Sequence, residues 1–298
     1  MKDLRSALLK AIERCCPGDG FHRTPVPGVA CIKFSRISPR RAKSRWRAAF
    51  GIVAQGQKEV VLGRRVYRID GAHYVATPID LPVVSRIASA TPAQPFLSLL
   101  IGIDPATLSE VAAQFSREPE KKPQPAQRAL FVGKVTGEML EAAVRLTKLF
   151  ASPADAPVLG PLIIKELLYY LLKGNDGRAI RNFVHSGSRL HRIFECIHGM
   201  RSELSGEVDV VELARAANMS RSALFKQFRD VTAMSPIQYQ KRLRLLEARR
   251  LMIDEGETAE SSAYKVGYNS ASQFSREYSR MFGNAPVRET TRHKRIAS

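Results

Sequence analysis

The sequence has no run of about eighteen apolar residues, roughly the length a helix needs to cross a bilayer, and its N-terminus lacks an apolar core followed by a small-residue cleavage site. A cytoplasmic location without a membrane partner is the expectation. Cysteine is scarce: Cys15, Cys16, Cys31 and Cys196 show no CxxC spacing, and neighbours such as Cys15 and Cys16 rarely bridge. Reduced structural thiols are expected, with a redox sensor at Cys15/Cys16 as the lesser alternative. The six histidines form neither HxH nor HExxH, so neither a metal nor a cofactor is expected. Acidic residues are also few, with 28 Asp and Glu against 47 Lys and Arg, a net charge of +19 and a pI near 10.2. That balance excludes an acidic solvating chain and points to a polyanionic partner, most often nucleic acid.

With 298 residues, 44% of them hydrophobic and 25% charged, the chain can bury two domain cores. Its charge is uneven: residues 1–190 carry 29 Lys and Arg against 15 Asp and Glu, whereas residues 191–298 carry 18 against 13. The most distinctive pattern nevertheless lies in the less basic part. Ser220–Asp230 (SRSALFKQFRD) is echoed by Ser270–Met281 (SASQFSREYSRM), with Leu224 and Phe228 matched by Phe274 and Tyr278 at an offset of 50. Each segment opens on a capping serine, carries large anchors on one face and leaves basic and small polar residues on the other.

Ahead of each lies a short supporting helix and a turn residue suited to positive φ, Asn218 in one case and Gly267 in the other. This is the pattern of two helix-turn-helix units, whose second helices enter the major groove. Between them Ser235–Met252 reads as one helix with proline in its first turn. At about 1.5 Å per residue it spans about 27 Å, long enough to hold two reading helices in successive grooves about 34 Å apart.

The front of the chain reads differently. Lys2–Cys16 is an amphipathic helix, and from Val29 to Ile103 short runs rich in Val, Ile and aromatics (29–36, 49–55, 58–62, 65–69, 73–77, 82–89, 96–103) predict an antiparallel sandwich or barrel. Helices follow at Pro105–Phe115, Glu138–Phe150, Pro161–Lys173 and Ser188–Leu204, and the charged, proline-rich Ser116–Arg128 reads as a linker. The fold class is therefore α+β, with an N-terminal sensing and dimerisation domain at 1–187 (barrel about 20–104, helices 105–187) and an all-α DNA-binding domain at 188–298.

The C-terminal part resembles the AraC/XylS family of transcription regulators. Phe228, Met234-Ser235-Pro236-Ile237-Gln238-Tyr239 and RLRLLEARRLM match its first unit and linker helix; Val266-Gly267-Tyr268-Asn269-Ser270, Gln273-Phe274-Ser275-Arg276 and Phe282-Gly283-Asn284-Ala285-Pro286 match its closing signature. Carried over by position, the resemblance assigns base contact to Arg221, Ser222, Phe225 and Lys226 in one groove and to Ala271, Ser272, Ser275 and Arg276 in the next. One departure is that Glu257–Lys265 is polar where the family usually carries an isoleucine pair. Val53-Ala54-Gln55-Gly56-Gln57-Lys58, Leu62-Gly63 and Asp80-Leu81-Pro82-Val83 resemble phrases of an N-terminal domain found in one branch of the family. That likeness implies a cupin-like β-barrel with helices for dimerisation, and for the whole chain a homodimeric activator that meets promoter DNA and RNA polymerase.

Between Lys33 and Arg68 there are eleven Lys or Arg and one acid, Glu59, concentrated in Ser38–Arg47 (SPRRAKSRWR). Like charges held together in a loop suggest a neutralising anion. Arg41-x-x-x-Arg45 resembles the RxxxR motif by which PilZ domains hold cyclic di-GMP, which makes Arg36, Arg40, Arg41, Arg45 and Trp46 candidate ligand residues and a cyclic dinucleotide the candidate effector. The second PilZ motif is not present as written, and a solvated basic loop, or one touching DNA phosphates, is the alternative. Two other classes remain open: a cupin-type metal enzyme fused to a DNA-binding module, for which the strand-rich stretch from Val29 to Ile103 offers one histidine, His73, and a nonspecific architectural protein. A sequence-specific regulator, not an enzyme, is the leading reading.

Overall fold

The computed structural model describes residues 1–115 and 128–297, with side chains to 291; the linker expected at Ser116–Arg128 therefore lies outside the described residues except for Arg128. Two antiparallel sheets form the N-terminal sandwich. One runs β1 (Gly20–Arg23), β2 (Val29–Phe34), β9 (Phe96–Gly102), β4 (Ala49–Gln55), β7 (His73–Thr77), β10 (Phe131–Lys134). The other runs β3 (Ala42–Trp46), β8 (Leu81–Ser89), β5 (Gln57–Leu62), β6 (Arg65–Asp70). In β8 the period of two is explicit, with Leu81, Val83, Ser85 and Ile87 buried toward the opposite sheet. β9 is buried on both faces from Phe96 to Leu99 because α1 (Lys2–Cys15) covers its outer side with Leu8 and Ile12, both fully buried.

A helical layer follows: α2 (Pro105–Ala112), α3 (Gly137–Lys148) with a short 3-10 turn Leu149–Ala151, α4 (Ala156–Lys173) and α5 (Gly177–Val184). Asp104 and Thr136 cap α2 and α3 by accepting from Thr107 N at 2.8 Å and Met139 N at 3.3 Å. α4 begins five residues before the expected start at Pro161, which lies inside the helix; a proline there forfeits the bond to the residue-157 carbonyl, so the packing of α4, not local preference, carries the helix through it. α5 is not among the helices expected from the sequence.

The remaining helices are α6 (Arg189–Ser202), α7 (Val210–Ala216), α8 (Arg221–Thr232), α9 (Pro236–Asp254), α10 (Ala259–Lys265), α11 (Ala271–Phe282) and α12 (Pro286–Ala297). Their buried residues fall into two groups. Leu224, Phe228, Val231, Tyr239 and Leu243 join the core that begins in the sandwich, whereas Leu245, Ala248, Leu251, Met252, Ala263, Val266, Tyr268, Phe274 and Tyr278 form a separate small core. The first unit thus rests on the N-terminal domain, and the second hangs from the far end of α9.

Half of the segment SPRRAKSRWR is a strand and not a loop. Ala42–Trp46 pairs antiparallel with β8, Arg45 opposite Pro82 and Trp46 opposite Leu81, and its outer face is covered by α9. No helix among the described residues is long and apolar enough to cross a membrane.

Candidate nucleic-acid interface

The two units are built alike. In the first, Asp209 caps α7 by accepting from Val211 N at 2.7 Å, Asn218 turns the chain at φ 49°, and Ser220 caps α8 by accepting from Ala223 N at 3.3 Å. In the second, Thr258 caps α10 through Ser261 N at 3.1 Å, Gly267 turns the chain at φ 87°, and Ser270 caps α11 through Gln273 N at 3.3 Å. Leu224, Phe228, Phe274 and Tyr278, the anchors read from the repeat, are all fully buried. Both reading helices end on a left-handed residue, Ala233 (φ 64°) and Gly283 (φ 82°).

With the anchors inward, the opposite faces are open. Arg221, Ser222 and Lys226 on α8, and Ser272 and Arg276 on α11, are exposed, while Phe225, Ala271 and Ser275 are half-buried beside them. Each set therefore shares one helix face, with charge at the end that meets base edges. Arg242 on α9 is also exposed, whereas Lys241 pairs with Glu277 at 2.5 Å. Burial pushes the Glu277 carboxyl up, but the donors Lys241, Tyr268 and Gln273 hold it below the usual carboxylate range.

What keeps the two faces in a fixed relation is largely α9, opened by a capping box between Ser235 and Gln238. Its Arg244 donates to Leu204 O (2.8 Å), Ser205 O (2.9 Å) and Gly206 O (2.7 Å) in the α6–α7 connection, and to Gly267 O (3.0 Å) in the turn of the second unit. One guanidinium thus joins unit to unit, a role the sequence pattern did not reveal. Further along, Arg249 donates to Glu289 at 2.8 Å, and the same carboxylate accepts from Tyr278 at 2.6 Å.

The polar α10 packs against α9 with Ser262 and Ala263 fully buried. Among the described residues Ser262 Oγ finds no hydrogen-bond partner. Replacing Ser262 with alanine is expected to stabilise the protein by about 1 kcal/mol, because an unmet buried hydroxyl costs about 1–3 kcal/mol. A lowered urea midpoint for that variant would contradict the assignment.

The N-terminal domain grips both reading helices at their C-terminal ends, where backbone carbonyls lack partners and the dipole is negative. Arg128 donates to Arg229 O and, at 2.9 Å, to Asp230 O; Ala129 N donates to Val231 O at 3.0 Å; and Lys43 donates to Met281 O. Between these grips lies a polar node. Arg45, its side chain 16% exposed, pairs with Glu247 of α9 at 3.1 Å and with the buried Asp80 at 3.6 Å. Asp80 O also accepts from Tyr239 at 2.6 Å.

The ligand residues suggested by the basic segment are not brought together. Arg45 lies on the outer side of β3 and Arg41 just ahead of the strand, and each already faces acids: Arg41 approaches Glu59 at 3.7 Å, and Arg45 holds Glu247 and Asp80. Glu59 also accepts from Arg86 at 2.7 Å, and that hydrogen bond keeps its carboxyl below the usual range. Trp46 turns to the opposite face, in register with the buried Leu81, and carries the Lys58 ammonium 4.8 Å above its ring. Arg36 and Arg40 are exposed. Of the eleven cations between Lys33 and Arg68, Arg41, Arg45 and Arg68 face acids within the chain.

A cleft of about 270 Å³ does lie where β3 meets α9, lined by Lys43, Arg45, Arg47, Glu247, Arg249 and Arg250, with Leu246 and Ile253 in its wall. Among the described residues no group of three His, Cys, Asp or Glu is arranged to hold a metal.

Comparison with known proteins follows the same division. Over 109 residues, 37% of this chain and 38% of the relative, the sequence is 29% identical to the HTH-type transcriptional activator RhaS of Pectobacterium carotovorum subsp. carotovorum. It is 26% identical over 125 residues to the Escherichia coli RhaS, 42% of this chain and 43% of that one. The chain thus matches about two fifths of the length of these curated relatives. ToxT of Vibrio cholerae shares the fold at 11% identity, with a TM-score of 0.58 over 90% of this chain and 99% of that chain. Residues 213–292 match a helix-turn-helix domain family. Residues 25–179, more than half of the chain, match the AraC-type transcriptional regulator N-terminus, and with both halves accounted for the chain belongs to the AraC-type family of DNA-binding transcription regulators.

Proposed function

We propose that this regulator is a promoter-specific activator that works as a homodimer with RNA polymerase and answers to an anionic effector bound where β3 meets α9. Eight residues read the promoter bases: Arg221, Ser222, Phe225 and Lys226 in one groove, and Ala271, Ser272, Ser275 and Arg276 in the next. The observation that carries the effector reading is the cleft itself, where five cations, Lys43, Arg45, Arg47, Arg249 and Arg250, face two carboxylates, Glu247 and Asp254. An anion entering there competes with Glu247 for Arg45 and so weakens the contact of β3 with α9. A ligand shifts occupancy only by preferring one arrangement, and the loosened β3–α9 contact is the arrangement the anion favours. Arg36, Arg40 and Arg41 do not line the cleft. Support for a homodimer comes from an apolar stripe on α4, Val158, Leu159 and Leu162, exposed by 68%, 43% and 60%.

Two anions are the first to test. Cyclic di-GMP follows from the Arg41/Arg45 spacing. An unsaturated fatty acid follows from Leu246 and Ile253 in the cleft wall, and ToxT has been solved with such an acid bound. Calorimetric titration of the full chain, with sedimentation giving the subunit number, should show binding to one of them that is weakened at least tenfold by Arg45→Ala, about 1.4 kcal/mol. Silence toward both ligands, or binding untouched by Arg45→Ala, would remove the β3–α9 cleft as the effector site.

A further inference from the structure

Three of the chain's four cysteines meet at one place. Cys15 ends α1, Cys16 caps it, and Cys31 lies in β2 beneath the helix. α1 packs against β2, and Cys31 lies close enough to Cys15 and Cys16 for both to act on its thiol. Their exposure differs: Cys31 and Cys16 are buried, whereas Cys15 is half-buried and lines a groove of about 760 Å³ between α1 and α3, together with Lys10, Arg14 and Lys148. Solvent and small solutes therefore reach one thiol of the three, and that thiol ends the helix that packs on the strand of buried Cys31.

We propose that Cys15 and Cys31 form a peroxide-responsive thiol pair, in which Cys15 is oxidised from the groove and Cys31 closes the disulfide. In the first step the Cys15 sulfur takes one oxygen from a hydroperoxide: R–SH and HOOH give R–SOH and water, the sulfur oxidised and the peroxide reduced. In the second, the Cys31 sulfur displaces hydroxide from the sulfenic acid; the Cys31 proton joins it, and the products are the disulfide and a second water. Cys31 and Cys16 are buried and do not line the groove that Cys15 lines, so both are poor first targets. Cys16 is also a poor partner for Cys15, because adjacent Cα atoms are about 3.8 Å apart, short of the usual disulfide span of about 4.4–6.8 Å. The bond joins the last turn of α1 to β2 and fixes the floor of the groove. Cys196, buried in α6 with its Sγ 3.9 Å from Leu213 O, serves as an internal control.

The test uses the reduced full chain, treated with hydrogen peroxide, blocked with N-ethylmaleimide and mapped by peptide mass spectrometry. The expected result is loss of two of the four blockable thiols, a Cys15–Cys31 linked peptide, and recovery of both thiols with dithiothreitol. In Cys15→Ser, whose side chain is half-buried, no link should form; in Cys31→Ser, Cys15 should stop at a sulfenic acid trapped by dimedone. Four thiols remaining after peroxide would overturn the proposal, as would a Cys16–Cys31 link that forms equally well in Cys15→Ser. Should Cys31→Ser fail to fold, the wild-type peptide map decides alone.

Discussion

Replacing Arg244 with alanine is expected to cost about 3 kcal/mol of stability and to abolish promoter binding, although no base-contact residue is altered. The side chain makes four hydrogen bonds of 2.7–3.0 Å, all to backbone carbonyls. Each is charge-assisted, and such bonds contribute about 1.5–3 kcal/mol apiece before the water that replaces them is counted. Burial pulls the Arg244 guanidinium below its usual range, yet arginine at that site stays charged. Lysine is expected to rescue poorly, because a single ammonium on a flexible stem cannot reach carbonyls in the α6–α7 connection and the Gly267 turn together. Urea unfolding with a parallel promoter-binding titration measures both effects. An unchanged midpoint in Arg244→Ala would show that the two units are held by α9 packing alone.

Gly267→Ala should be about as damaging, for a different reason. At φ 87° an L side chain costs about 1–2 kcal/mol. Here the added Cβ would also lie 2.2 Å from Ser205 O and 2.7 Å from Ser205 Cα, so backbone must move. Ser205 is one of the residues that Arg244 grips, so the displacement spreads into the same junction. A total of about 3 kcal/mol or more is expected, typical of a forced shift in a packed site. Gly283 supplies the control: it has nearly the same φ, 82°, with nothing within 4 Å of the added atom, so Gly283→Ala should cost only about 1–2 kcal/mol. Equal losses in the two variants, measured by thermal unfolding, would mean that the contact with Ser205 does not matter.

The parts of this molecule that could be read from sequence are those where several local signals coincide. At Ser220 and Ser270 a cap, a pair of buried anchors and a turn residue at nearly constant spacing all demand the same unit, and the structure contains both. β3 escaped such reading because Ala-Lys-Ser-Arg-Trp has no β-branched residue and too much charge for a buried strand. It is a strand because α9 covers it and supplies Glu247 to Arg45. β10 escaped because its partner, β7, lies more than fifty residues earlier. Arg244, Arg128 and Lys43 were invisible as fasteners for a more general reason: all three bond backbone carbonyls, which every residue carries, so no complementary residue type marks their targets. The basic segment stands out in sequence for its charge, whereas Asp80 and Glu247, which pair with its Arg45, are distant in sequence and meet it only in the folded chain.

The central claim is that α8 and α11 read two separate stretches of one duplex. It is tested most directly by measuring promoter affinity, at fixed salt, for the full chain and for Arg221→Ala, Arg276→Ala and Arg242→Ala against a panel in which each base pair of the bound site is changed in turn. The account predicts that Arg221→Ala and Arg276→Ala each lose discrimination worth about 1–3 kcal/mol, at two segments about 10 base pairs apart, one variant per segment. Arg242→Ala, a backbone contact, should weaken all sequences alike. If both helix variants lost discrimination at the same base pairs, or weakened every sequence uniformly, the two helices would not be independent readers of successive grooves.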